Sequence, residues 1–202
     1  MLTATGNRPA LPLPPAPGAV DHSSLDLANS IVTLPGGRTV DLLSTPEDAT
    51  RWLVEHGLTP EDAGLQEYCA DRLSTLRRHM RALLGSLVDG RPPADADVEA
   101  LNRALTLTPT TALLDWAPER GLHRATAHPT TQIVEHALAS LAADAADLLT
   151  GPHVGRLAAC QAPPCNRYLL RTHARRHWCS TRCGDRVRAA RAYARRTESS
   201  TA

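Results

Sequence analysis

The chain has 202 residues, enough for one sizeable domain and a small appendage. It contains no phenylalanine and many alanines and leucines, a composition that favours a mainly α fold. The net charge of +1 conceals a split, because residues 1–155 carry 11 arginines and 19 acids (net −8), whereas residues 156–196 carry 11 arginines and one acid (net +10). This asymmetry points to a polyanionic partner for the basic part.

The N-terminal residues 1–20 are rich in proline, and we expect them to form a flexible, disordered tail. Prolines also interrupt the apolar run that a signal peptide needs, and no stretch is apolar for long enough to span a membrane. We therefore expect a cytoplasmic protein with no membrane partner. Residues 21–35 fit a helical turn or a short strand, and Gly36-Gly37 marks a turn.

The tetrapeptide Thr-Pro-Glu-Asp occurs at residues 45–48 and again at 59–62. Each copy offers a threonine N-cap, a proline at the first helical position and acids in the first turn. The copies predict helices over Pro46–His56 and Pro60–Val88. The longer helix has an apolar face, made by Leu65, Cys69, Leu73, Leu76, Met80, Leu83 and Leu87. On this face Cys69 is expected to be a buried small hydrophobe.

Two more helices and a hairpin are predicted before residue 155. Asp95 or Asp97 is expected to cap a helix that ends at Leu105, and Thr130 or Thr131 a helix over residues 132–149. Between them, residues 111–117 and 122–127 fit a small β-hairpin. The histidines are scattered and form no catalytic motif, so no enzyme activity is expected. We expect residues 21–155 to bind a small-molecule ligand or to mediate homo-oligomerisation.

Four cysteines near the C-terminus form two close pairs with thirteen residues between them: Cys160, Cys165, Cys179 and Cys183. Two turns that each aim two thiolates at one point are typical of tetrahedral Zn²⁺. Disulfides and redox cysteines are the alternatives, but a cytoplasmic location disfavours disulfides and no βαβ pattern accompanies the pairs. Four protein ligands leave no place for water, which predicts a structural zinc site. His173 and His177 are alternative ligands, but four cysteines complete the shell, so both histidines are expected to lie outside it.

The cysteine region resembles the CGNR-type zinc finger, whose Cys-Gly-Asn-Arg tetrapeptide is Cys183-Gly184-Asp185-Arg186 here. Upstream, LDLANS at 25–30, DLLSTPED at 41–48 and LN at 101–102 resemble the ABATE domain that precedes this finger. The resemblance implies a stress-induced transcription regulator with a helical N-terminal domain over 21–155. It also implies a small treble-clef-like finger over 156–197. Residues 198–202 are expected to form a disordered tail. Asp185 replaces the family's asparagine, adding a negative charge in a position where aspartate also caps helices.

Residues 184–196 are predicted to form a helix. Val187, Ala190 and Ala194 fall on one face, expected to pack on the zinc site. The neighbouring face carries arginines spaced i, i+3 and i+7, which suits a nucleic-acid groove. The predicted DNA contacts are Arg175, Arg176, Arg182, Arg186, Arg188, Arg191 and Arg195. The alternatives that stay open are a finger that binds protein, including its own acidic body, and one that binds RNA.

Overall fold

The computed structural model describes residues 13–108, 113–125 and 132–200, and it confirms a mainly α protein with small hairpins. The helices are α1 (Ser23–Ala28), α2 (Pro46–Glu55), α3 (Glu67–Val88), α4 (Asp95–Leu105), α5 (Ile133–Thr150) and α6 (Thr181–Ser200). The strands are β1 (Ile31–Thr33), β2 (Thr39–Asp41), β3 (Leu113–Ala117), β4 (Gly121–Ala125), β5 (Leu157–Ala159) and β6 (Tyr168–Leu170). The strands form three antiparallel two-stranded sheets, β1–β2, β3–β4 and β5–β6.

The two Thr-Pro-Glu-Asp copies behave differently. At the first, the Thr45 side chain accepts a hydrogen bond from the Asp48 N–H at 3.1 Å, and α2 begins as predicted. At the second, Thr59 is buried, and the Ala63 N–H donates to the Pro60 carbonyl in a turn. The prediction that a helix begins at Pro60 is wrong, because Gly64 disfavours helix so soon after the turn and α3 begins only at Glu67.

The core of the N-terminal domain lies between α2, α3, α4 and α5. The predicted apolar face of α3 supplies Leu73, Leu76, Met80 and Leu83, whereas Leu87 at its end is exposed. Cys69 is only half-buried, so its predicted place in the core is wrong. α5 contributes alanines, whose small side chains let it approach its neighbours closely.

Arg77 is an arginine inside this domain, with 6% of its surface exposed. Its two terminal nitrogens donate to the Asp41 carboxylate at 2.6 and 2.7 Å, and one of them also reaches the Ser30 hydroxyl at 2.9 Å. Burial raises the pKa of Asp41, but the hydrogen bonds from Arg77 and from the Leu43 N–H outweigh it and lower that pKa overall. The pair fixes the β1–β2 hairpin against α3.

The structure contains the predicted hairpin, and its helices α4 and α5 begin close to the predicted positions. The hairpin is confirmed as β3–β4, with Trp116 opposite Leu122. Asp95 and Asp97 lie in the first turn of α4, and Ala94 holds its N-cap position. Thr130 and Thr131 lie outside the described residues, and Gln132 precedes α5. None of the helices in the described ranges combines the length and apolar character needed to cross a membrane.

The chain ends differ from the expected tails where they are described. Ala16 and Ala19 are buried, and the Pro17 carbonyl accepts a hydrogen bond from the Leu170 N–H at 2.8 Å. Residues 14–19 are therefore packed structure, while 1–12 lie outside the described part of the chain. At the other end α6 continues to Ser200, so the helix is longer than predicted.

Candidate metal centre and nucleic-acid interface

The four paired cysteines meet at the junction of two short strands and a helix. Cys160 follows β5, Cys165 lies in the turn that leads to β6, Cys179 precedes α6, and Cys183 lies in the first turn of that helix. All four sulfur atoms lie within 4.8 Å of one another. A knuckle between two strands followed by a helix is the treble-clef-like arrangement that the sequence predicts.

The spacing of the sulfurs fits one tetrahedral ion. A Zn–S bond of about 2.3 Å places the corners of a tetrahedron about 3.8 Å apart. The Cys165–Cys179 and Cys179–Cys183 sulfur distances are 3.8 and 3.7 Å. A disulfide would need about 2.05 Å, and all five cysteines, each within the described residues, are free thiols. The donor set therefore fits structural Zn²⁺.

Backbone hydrogen bonds shape the two turns that hold the sulfurs. The Cys165 N–H donates to the Ala162 carbonyl at 2.9 Å, and the Cys183 N–H reaches the Ser180 hydroxyl at 3.3 Å. The Cys179 N–H also points to the Cys160 sulfur, at 3.4 Å. An N–H directed at a sulfur, as that of Cys179 is, stabilises thiolate charge.

The thiols influence one another's ionisation. Hydrogen bonds from Cys165 and Cys179 lower the pKa of Cys160, while the same contacts, together with burial, raise the pKa of Cys165 and of Cys179. Deprotonation of a second thiol in the cluster is therefore unfavourable unless a cation compensates the added negative charge. Binding of a divalent metal would consequently release protons from the remaining thiols.

The finger is docked on the N-terminal domain through α3. The Arg81 guanidinium donates to the Ala28 carbonyl at 2.5 Å and to the Asn166 carbonyl at 2.9 Å, and it lies 5.3 Å from the Tyr168 ring centre. Asn166 in turn accepts from the Thr33 N–H at 2.9 Å. Beneath these contacts, side chains of both parts share one apolar cluster: Leu25, Ala28, Leu84, Leu148 and Leu170.

The predicted DNA-contacting arginines occupy two kinds of environment. Exposed positions are held by Arg175, Arg182, Arg188, Arg191 and Arg195, while Arg176 and Arg186 are half-buried. Arg186 faces the metal centre, where it donates to the Ala162 carbonyl at 2.7 Å and lies 3.8 Å from the Cys183 sulfur. Arg186 therefore contacts the turn between Cys160 and Cys165.

Arg188 is held on the surface by two neighbours. It forms an ion pair with Asp185 at 2.6 Å and lies 5.6 Å from the Trp178 ring centre. Because α6 begins at Thr181, Asp185 lies in the second turn of the helix, and the suggestion that it caps the helix is wrong. Its carboxylate instead neutralises one arginine of the exposed face.

Most of α6 extends from the finger into solvent. Val187 packs against the finger's apolar cluster, but Ala190 and Ala194 are exposed, contrary to the predicted packing face. The reason is geometric, since the helix starts at the metal centre and leaves it after about two turns. Sequence analysis also missed the residues that join finger to body, Asn29 and Arg81, and the buried Arg167. The proximity of Asn166 and Arg167 to Cys165 was the available signal.

These features define a two-part protein, a helical body with a four-cysteine zinc finger attached. The chain belongs to the ABATE family, described as "Putative stress-induced transcription regulator", whose model matches residues 21–152. A second model, the CGNR zinc finger, matches residues 156–196. No curated protein matches the chain.

Proposed function

We propose that this protein is a zinc-dependent DNA-binding transcription regulator. The observation that carries the proposal is that most side chains of α6 beyond Val187 are exposed, on a finger that docks on the body through β5 and β6. Arg188, Arg191 and Arg195 lie along one side of that helix. A helix that projects from a folded domain and carries arginines along one side suits a DNA groove.

The remaining arginines would act at the base of the helix. Arg175 and Arg182 are exposed on the loop before α6 and on its first turn, where they can reach phosphates on either side of the groove. Arg176 is half-buried in the same loop. The zinc ion would hold this loop and the helix start in one orientation, so DNA binding should depend on the metal.

The N-terminal domain would receive the signal. A cleft of about 430 Å³ lies between α3, α4 and α5, a volume that suits a small molecule. Its floor is apolar and includes Leu76 and Leu138, and its rim carries Arg72, His79 and Arg103. Because α3 carries both this cleft and Arg81, a ligand that shifts α3 would also shift the finger. Homo-oligomerisation through the same domain is the second role proposed for it.

The experiment is recovery of genomic DNA fragments by zinc-loaded protein at near-physiological salt, followed by sequencing. A chelated sample and a sample with total RNA in place of DNA serve as comparisons. A small set of sites recovered only with zinc is the expected result. Uniform or absent recovery would contradict the proposal, and preferential recovery of RNA would assign the arginines to that partner instead.

A further inference from the structure

Residues 14–19, called the strap here, lie against the zinc finger although about 140 residues separate them from it in sequence. Ala16 and Ala19 are 1% and 5% exposed, and they belong to the same apolar cluster as Cys160, Cys179 and Cys183. The strap is folded as a turn, in which the Ala19 N–H donates to the Ala16 carbonyl at 2.9 Å. It therefore covers part of the apolar surface around the cysteines.

Arg167 joins the strap to the metal ligands. This side chain is 1% exposed, and the same terminal nitrogen donates to the Pro14 carbonyl at 2.9 Å and lies 3.8 Å from the Cys179 sulfur. A buried guanidinium needs both a counter-charge and acceptors for its hydrogen bonds. Four zinc-bound thiolates carry net negative charge, and the strap supplies a carbonyl acceptor.

The path of the strap is fixed by a glycine. Gly18 has φ of +89°, and a Cβ at this position would come within 2.8 Å of the Leu170 side chain. Next to it, the Pro17 carbonyl accepts from the Leu170 N–H, which extends the backbone pairing of β6. A larger residue at position 18 would thus meet both an unfavourable backbone conformation and a clash.

We infer that the strap is an integral part of the zinc finger, and that it acts with Arg167 to retain the metal. Arg167 is a positioning residue in this role, since it contacts a ligand sulfur and not the ion. The two family models match residues 21–152 and 156–196, so the strap lies outside both. The strap also reaches the body, because His22 just after it donates to the Asp144 carboxylate at 2.9 Å.

The test measures the rate at which zinc passes from the loaded full-length protein to an excess of a chromogenic chelator. Two variants remove the strap's contacts: a deletion of residues 1–19 and Gly18→Val. Partners that orient metal ligands commonly change metal affinity 10–100-fold when lost. We expect zinc release to be about tenfold faster or more in both variants, and in Arg167→Gln.

Two control variants separate the strap from other effects. Deletion of residues 1–12 shortens the chain but keeps the strap. Gly36→Val introduces the same backbone strain, since Gly36 has φ of +81°, in a place where nothing lies within 4 Å of the added Cβ. Both should release zinc at the parental rate. Release within twofold of the parent for the 1–19 deletion and Gly18→Val would overturn the inference, even if Arg167→Gln releases zinc quickly.

Discussion

Asn29 and Tyr168 form a two-point pair that joins the helical body to the finger. The Asn29 side-chain amide donates to the Tyr168 carbonyl at 2.9 Å, and the Tyr168 N–H donates to the Asn29 side-chain oxygen at 2.8 Å. Asn29 is 1% exposed and follows α1, so it pairs with the edge of β6 as another strand would. The two domains recognised by separate family models are thus one packed unit.

Replacing Asn29 with alanine should weaken this unit. Both backbone groups of Tyr168 would lose their partner at a buried site, and the expected cost is about 2–4 kcal/mol in the free energy of unfolding. Urea denaturation followed by circular dichroism measures it. Asn102→Ala, an asparagine exposed on α4, is the control and should change stability by less than about 0.5 kcal/mol. Equal effects of the two variants would contradict the pairing.

Replacing Cys179 with serine should abolish zinc retention and unfold the finger. Cys179 lies 3.8 Å from the sulfur of Cys165 and 3.7 Å from that of Cys183, so its loss opens the shell. The body has its own core and should keep its helices. Elemental analysis measures the zinc content of the finger, and circular dichroism measures the helices of the body. Cys69→Ser, outside the cluster, should keep one zinc per chain; full zinc content in the Cys179 variant would refute the ligand assignment.

Asp185→Asn should strengthen binding to duplex DNA. The substitution releases Arg188 from its ion pair and removes a negative charge from the face proposed to meet phosphate. Exposed pairs of this kind are worth up to about 1 kcal/mol, which corresponds to about a two- to fivefold gain in affinity. The matched control is Asp89→Asn, which breaks the exposed Arg91–Asp89 pair on the body. A gain in the control as large as in the variant would assign the effect to net charge alone.

Stability should depend on pH through His56. Burial lowers the pKa of His56, but hydrogen bonds to Asp26 and to the Trp52 carbonyl outweigh it and raise that pKa above 6.5. A raised histidine pKa contributes stability that is fully present below about pH 6.5 and is lost as the pH rises through the folded-state pKa. His56→Gln should therefore cost more stability at pH 6 than at pH 8, as urea midpoints can show. An equal cost at both values would show that the imidazolium form is not favoured.

The metal site could be predicted from sequence because its ligands are close in the chain and their type restricts the chemistry. Cys160, Cys165, Cys179 and Cys183 meet as the spacing indicates. Helix starts could be predicted where the cap is exposed, as at Thr45. They failed at Thr59, because Gly64 follows the turn and disfavours helix, so that α3 begins only at Glu67.

The contacts between finger and body could not be predicted, because they join residues far apart in the chain. The LDLANS segment resembles the family in sequence but does not indicate its partners, although its Asn29 pairs with β6 and its Ser30 hydroxyl accepts a hydrogen bond from Arg77. The composition of the strap predicts a disordered tail, because its prolines and alanines are typical of disordered segments. Alanine burial against a metal centre leaves no periodic signal.

The most direct test of DNA recognition by α6 compares two triple variants in a salt titration of DNA affinity. One replaces Arg188, Arg191 and Arg195 with alanine; the other replaces Arg38, Arg91 and Arg103, exposed arginines of the body, for the same change in charge. The dependence of log affinity on log salt falls by about 0.9 for each phosphate contact that is lost. We predict a weaker and flatter dependence for the α6 variant alone. The same slope in both variants and the parent would contradict DNA binding by this helix.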